Sequence, residues 1–209
     1  MAAEPAGRWR SAARLERLAR LALLALGVLC GQGAATAWAQ AKPETVAACL
    51  ACHGAAALAA NPAVPSIAAQ PRTFLENQLV LIREGLREVP TMKAVMGSLD
   101  DAEIVALARH FSAQQAVSSP GRAQADKLRA GADLSSRALC GTCHLPGYVG
   151  QNQVPRLAGQ QEAYLLATLK MYRDNPAPGR DTLMAAPLQG MKDGELDSLA
   201  HYLAHNGKP

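Results

Sequence analysis

The residues most able to do chemistry in this chain are Cys49-Leu50-Ala51-Cys52-His53 and Cys140-Gly141-Thr142-Cys143-His144. Both read C-x-x-C-H, the attachment signature of covalent haem. The spacing follows from the chemistry. Two thiols add to the two vinyl groups on one porphyrin edge, and two intervening residues let both sulfurs reach it. The adjacent histidine then lies under the iron and offers an axial nitrogen. Cys49, Cys52, Cys140 and Cys143 are therefore the expected thioether residues, and His53 and His144 the expected axial ligands of two haems. A zinc site built from two C-x-x-C pairs usually has them closer together and needs no histidine after each. A thioredoxin-like redox pair would lie beside a βαβ pattern, and no alternating strand pattern stands out.

The sequence around the motifs also recurs. Pro65-Ser66-Ile67-Ala68-Ala69-Gln70 answers to Pro155-Arg156-Leu157-Ala158-Gly159-Gln160. Phe74 answers to Tyr164 and Arg83 to Arg173, and further on Leu99, Ile104 and Leu107 answer to Met191, Leu196 and Leu199. Small insertions account for the drift in offset. The chain after its leader is thus two units of one build.

The repeat also sorts the candidates for the sixth iron ligand, which in electron carriers is often methionine opposite histidine. The candidates are Met92, Met96, Met171, Met184 and Met191. Only Met92 and Met184 occupy the same place in both units, just before the last helix. Their surroundings are extended and Pro-flanked, unlike a core helix face, which favours ligation over plain packing. Bis-histidine ligation is the competitor. His110, His201 and His205 keep no histidine at the matching position and are expected at the surface or at helix ends. Pro65 and Pro155 follow the haem histidines closely. A carbonyl near each can accept the histidine Nδ1–H and tune the ring, and loop rigidity explains these prolines equally well.

The elements expected to position these groups are helical. The first motif falls at the end of a helix beginning near Pro43. Phe74, Leu75, Gln78, Leu79 and Ile82 recur at helical spacing, and Gly85 provides a stop. Asp100 with Glu103 three residues on predicts a capping box for a last helix whose inner face is Ile104, Leu107, Ala108 and Phe111. In the second unit 164–172 predicts the middle helix, and 193–204 the last, with Leu196, Leu199, Ala200 and Leu203 inward. Between the units, the polar stretch from Gln114 to Gly121 reads as a linker, short enough for the units to pack directly together.

The chain has 209 residues, 49% of them apolar and only 4% aromatic. A core so poor in large rings has room for a haem in each of two small domains. Residues 1–39 read as a signal peptide: five arginines from Arg8 to Arg20, an apolar run from Leu21 to Leu29, then Ala37-Trp38-Ala39 as an A-x-A cleavage pattern. The run is shorter than the ~20 residues that span a bilayer. An uncleaved leader would instead anchor the chain. The net charge of +4 mostly reports this leader, and what remains carries no nucleic-acid footprint. Cys30 lies in the leader, so every other cysteine belongs to a C-x-x-C-H motif.

These segments together resemble the dihaem cytochromes c4 of the bacterial periplasm. The resemblance is carried by CLACHG and CGTCHLPG, by VPSIAAQ and VPRLAGQ, and by the Met-then-helix segments around Met92 and Met184. It implies an all-α chain of two tandem class I cytochrome c domains, 40–115 and 116–209, each wrapped around one covalent haem. It implies His/Met ligation at both irons by His53, Met92, His144 and Met184. The expected function is periplasmic one-electron transfer between a respiratory donor and a terminal oxidase or other acceptor. The expected partners are redox proteins: an oxidase, a cytochrome bc1-type complex or a dehydrogenase. A membrane enters only through partners or an uncleaved leader. The alternative is an electron-transfer subunit of a dehydrogenase complex. A dihaem peroxidase would need one open iron site, whereas both units offer a methionine, so no enzymatic activity is expected. One departure from the family pattern is CHGAAALAANPAVPS, which lacks a glycine-rich loop.

Overall fold

A computed structural model describes residues 40–119 and 121–206. The leader, 1–39, lies outside the described residues. Among those described the chain is helical and contains no strand, only an isolated bridge between Gln151 and Val154.

The first half starts with α1, Pro43–His53. Pro43 suits the first helical position because its missing N–H would have no intrahelical partner anyway. The helix stops at Gly54, whose φ of +82 is left-handed and whose Cβ position is filled by the Leu58 carbonyl, so only glycine fits. Helix α2, Arg72–Arg83, buries Leu75 and Ile82, and Gly85 follows with φ +69. A 3-10 turn, Pro90–Met92, runs into the single-turn α3, Lys93–Met96. Helix α4, Asp101–Ser112, has the expected capping box: Asp100 accepts from the Glu103 N–H at 2.8 Å, and Glu103 accepts from the Asp100 N–H at 3.1 Å. Its buried face is Ile104, Ala106, Leu107, Ala108 and Phe111. Packed against α2, it closes a core that Met96 and Leu99 complete.

The second half repeats this plan with one change. Helix α5, Ala125–Arg137, ends before the second motif, and Leu139 at φ +55 breaks the chain direction. The motif forms its own short helix α6, Cys140–His144. Helix α7, Glu162–Asp174, buries Leu165 and Leu169. Two 3-10 turns, Thr182–Met184 and Ala186–Leu188, precede α8, Asp193–His205. The second core joins Leu165, Leu169 and Leu188 to Leu196, Leu199, Ala200, Leu203 and Ala204. Helix α5 crosses α8 at Gly131, where any Cβ would run into the Ser198 carbonyl and Tyr202.

The halves are braced alike. Arg83, at the end of α2, donates to the Leu99 carbonyl at 3.2 Å and pairs with Asp101 at 2.8 Å. Arg173, at the end of α7, donates to the Met191 carbonyl at 2.9 Å and pairs with Asp193 at 2.7 Å. These exposed pairs are each worth little in free energy. Their repetition shows that the same residue ties the middle helix to the start of the last helix in both halves.

Candidate functional site

The first C-x-x-C-H motif ends α1 and the second forms α6, and each presents its parts differently. Cys49 and Cys140 are half-buried, Cys52 and Cys143 are exposed, and none of the four is in a disulfide. Burial pushes the Cys49 thiol up. Both histidines turn inward, His53 to 7% exposure and His144 to 3%.

A loop carbonyl holds each ring. His53 Nδ1 lies 2.8 Å from the Pro65 carbonyl, and His144 Nδ1 lies 2.8 Å from the Pro155 carbonyl. A carbonyl only accepts, so Nδ1 carries the proton and Nε2 keeps its lone pair. Burial lowers the pKa of both histidines, and the carbonyl bond only partly offsets it. Both rings are thus neutral imidazoles near pH 7, the form that ligates metals. His144 Nε2 is buried and has no hydrogen-bond partner in the protein. Buried polar atoms are rarely left so, and an atom with a free lone pair aimed inward suits an axial bond to iron. Of the two readings of Pro65 and Pro155, the structure realises the carbonyl one.

The loops are held by a repeated backbone device. Ala57 and Tyr148, at φ +53 and +55, stand at matching places. The Ala57 carbonyl accepts from Ile67 N–H at 3.3 Å, and the Tyr148 carbonyl accepts from Leu157 N–H at 2.9 Å. Ala69 N–H then donates to Phe111 and Gly159 N–H to Leu203, at 3.0 and 3.2 Å. Each proline loop is therefore tied both to the motif and to the last helix of its own half.

Met92 and Met184 each close a 3-10 turn and are half-buried against the core of their own half, Met92 beside the cluster that also receives Cys49 and Leu50. The other methionines differ. Met96 is packed into the first core at 2% exposure. The Met171 sulfur accepts from Ala177 N–H at 3.3 Å. Met191 lies against the second core.

His110 is exposed and His205 ends α8, as expected, but His201 is not at the surface. It is 1% exposed. Its Nε2 accepts from Gln124 N–H at 2.9 Å, so its Nδ1–H points to Glu162, 3.1 Å away. With both nitrogens engaged it is a structural histidine that ties α7 and α8 to the chain entering α5. The periodicity of α8 already placed Leu196, Leu199, Ala200 and Leu203 inward, and His201 falls on the same buried side.

The residues that sequence reasoning left without a role are Gln70, Gln160 and Gln161, all buried. Gln160 exchanges two hydrogen bonds with the backbone of Ser66, and Gln70 two with the backbone of Arg156. Gln161 donates to the Ala59 carbonyl at 2.8 Å. Nearby, Arg87 approaches Gly179, Arg180, Tyr164 and Tyr172. Burial pulls the Arg87 pKa down, and its Nε is buried without a partner. Burial pushes Tyr164 up, but the charges of Arg87 and Arg180 outweigh it and hold its hydroxyl below the ordinary tyrosine range. The two halves thus meet at a polar seam with concentrated positive charge.

Comparison with known proteins bears on the fold and the family. A family model described as Cytochrome c matches residues 128–207, and one described as Cytochrome C oxidase, cbb3-type, subunit III matches residues 36–110. A thiosulfate dehydrogenase electron acceptor from Thiomonas intermedia is 33% identical, over 88% of this chain and 89% of that protein. Cytochrome c4 from Stutzerimonas stutzeri is 30% identical, over 87% of this chain and 94% of that protein. The crystal structure of reduced recombinant cytochrome c4 from Pseudomonas stutzeri superposes with a TM-score of 0.70 at 27% identity, covering 77% of this chain and 94% of that one.

Proposed function

The chain belongs to the dihaem cytochrome c4 family, and on that premise we propose that it is a periplasmic electron carrier rather than an enzyme, passing single electrons between a respiratory donor and a terminal oxidase or other acceptor. It is an electron-transfer cytochrome of two class I cytochrome c domains with covalently bound haem c as cofactor. We place the division of the halves at 115/116, in the non-helical stretch after α4, and cleavage of the leader after Ala39.

The bound haems supply the chemistry, a one-electron exchange between Fe(II) and Fe(III). The chain's own residues would hold them. Cys49 and Cys52 tether one, Cys140 and Cys143 the other. His53 and His144 would each offer a neutral Nε2 to the iron, with Nδ1–H held by a loop carbonyl. Met92 and Met184 would offer sulfur as the second protein ligand of each iron. With a histidine and a methionine offered in each half, an iron held by both would have no open site for a substrate, as a carrier needs and a peroxidase does not. Arg87 and Arg180 supply positive charge that would suit porphyrin carboxylates.

The observation that carries the reading is the pair of buried histidines, identically held, with the His144 Nε2 free of any protein partner. The test is the spectrum of the holoprotein and its methionine variants. Two haems per chain by pyridine haemochrome are expected. Met92→Ala and Met184→Ala should each remove about half of the weak far-red band of sulfur-ligated ferric haem, while Met96→Ala leaves it intact. An undiminished band in Met92→Ala or Met184→Ala would refute the ligand at that half.

A second reading is supported by the Thiomonas relative, whose name makes it the acceptor for a thiosulfate dehydrogenase. In that reading the donor is a dehydrogenase, and the same residues serve. Rapid reduction by a purified dehydrogenase, but not by a bc1-type complex, would favour it.

A further inference from the structure

The seam between the halves does more than join them. The peptide unit that links Pro65 to Ser66 has its carbonyl on His53 Nδ1–H and its N–H on Gln160 Oε1, at 2.8 and 2.7 Å. The unit that links Pro155 to Arg156 has its carbonyl on His144 Nδ1–H and its N–H on Gln70 Oε1, at 2.8 and 3.0 Å. Each glutamine also donates from Nε2 to the carbonyl of the same residue, Gln160 to Ser66 at 2.9 Å and Gln70 to Arg156 at 3.0 Å. A backbone N–H only donates and a carbonyl only accepts, so these partners set the orientation of both side-chain amides. Gln160 Oε1 accepts in addition from Gln161 N–H at 2.9 Å. Both glutamines are 5% exposed.

We propose that Gln160 and Gln70 are positioning residues wired crosswise: each sets the donor strength of the axial histidine in the other half, through one peptide group. The proposal rests on the axial role of His53 and His144 given above. An acceptor on a peptide N–H polarises that peptide and makes its carbonyl a stronger acceptor. The stronger carbonyl draws on the histidine Nδ1–H and leaves the ring a better donor to iron. Electron donation favours Fe(III), so the intact link lowers the potential of the haem in the opposite half.

The sign separates this role from simple bracing. Gln160→Met keeps the volume but loses the acceptor, and should raise the potential of the first-half haem. A seam that merely loosened would admit water, favour the charged Fe(III) form and lower the potential. Gln160→Glu keeps an acceptor oxygen for Ser66 N–H and should leave that potential at or below its original value. Gln70→Met should raise the potential of the second-half haem and leave the first alone.

The measurement is a spectroelectrochemical titration of the full holoprotein, resolving two waves. They are assigned in a Met92→His background, which drops the first-half wave. The expected change is about three- to tenfold in the Fe(II)/Fe(III) ratio at fixed potential, tenfold being about 59 mV for one electron. In parallel, proton NMR should show the Nδ1–H resonance of only the opposite histidine moving. The proposal is overturned if neither wave moves by threefold, if both fall together, or if each glutamine moves the haem of its own half. Failure of Met92→His to displace a wave would count against the ligand assignment, while the separate NMR response of His53 and His144 still decides the crosswise link.

Discussion

Gly159→Ala is a substitution that the molecule itself controls for. Gly159 stands at φ +76 beside Gln160, at the place that Ala69 fills in the first half at φ +54. A Cβ on Gly159 would press into the Val117 carbonyl and sit 3.4 Å from Ser118 Cα. Both are backbone atoms, so no rotamer change relieves the contact. The left-handed conformation costs an L-residue about 1–2 kcal/mol. Loss of glycine's freedom in the unfolded chain returns about 0.4–1 kcal/mol. Overpacking adds about 1–3 kcal/mol. The net destabilisation is therefore about 3 kcal/mol, within a span of about 1–5, or a fall of roughly 6–12 °C in Tm for a body of this size. The reverse change, Ala69→Gly, relieves the left-handed strain and returns flexibility to the unfolded chain, so it should fall within about 1 kcal/mol of the parent, on the stabilising side. Denaturant titration of the two holoprotein variants, followed by far-ultraviolet circular dichroism, measures both. Changes of equal size and opposite sign would refute the contact term, because that contact with the segment entering from the first half is the only half-specific contribution.

Two further outcomes follow from the same geometry. His201→Ala should cost about 2–4 kcal/mol, from the cavity and from loss of the hydrogen bonds to Gln124 and Glu162, with the haem spectrum unchanged; a lost far-red band would instead make His201 part of the iron site. Acidification should weaken the fold through its paired carboxylates. Lys42 holds Glu103 down, Lys170 and Arg173 hold Asp193 down, and Arg173 holds Asp174 down. A depressed carboxylate stabilises above its unfolded pKa and loses that contribution as pH falls through the folded one. Denaturation midpoints should decline through and below about pH 4, less steeply in high salt; a profile flat from pH 5 to pH 3 would contradict this.

Much of this protein was legible because its chemistry is local. C-x-x-C-H is read within five residues, and helix periods and the Asp100–Glu103 box within a few more. The repeat added a second copy of every inference, which is how Met92 and Met184 stood apart from Met96, Met171 and Met191. His201 was misplaced because surface and interior on a last helix depend on what packs over it. Here that is Glu162 and the chain before α5, brought in from far along the sequence.

By itself, then, the sequence determined the helical class, the two haem-tethering motifs, the repeat and the elements that carry them. Those follow from backbone periodicity and from the reach of side chains along one segment. Only the tertiary structure decided that the Pro65 and Pro155 carbonyls hold the histidines, and that the glutamine of each half lies on the loop of the other. The repeated glutamine was visible at 70 and at 160, but its partner is 86 or 94 residues away. A hydrogen bond between segments so distant has no signature in either one until the two cores have formed and met.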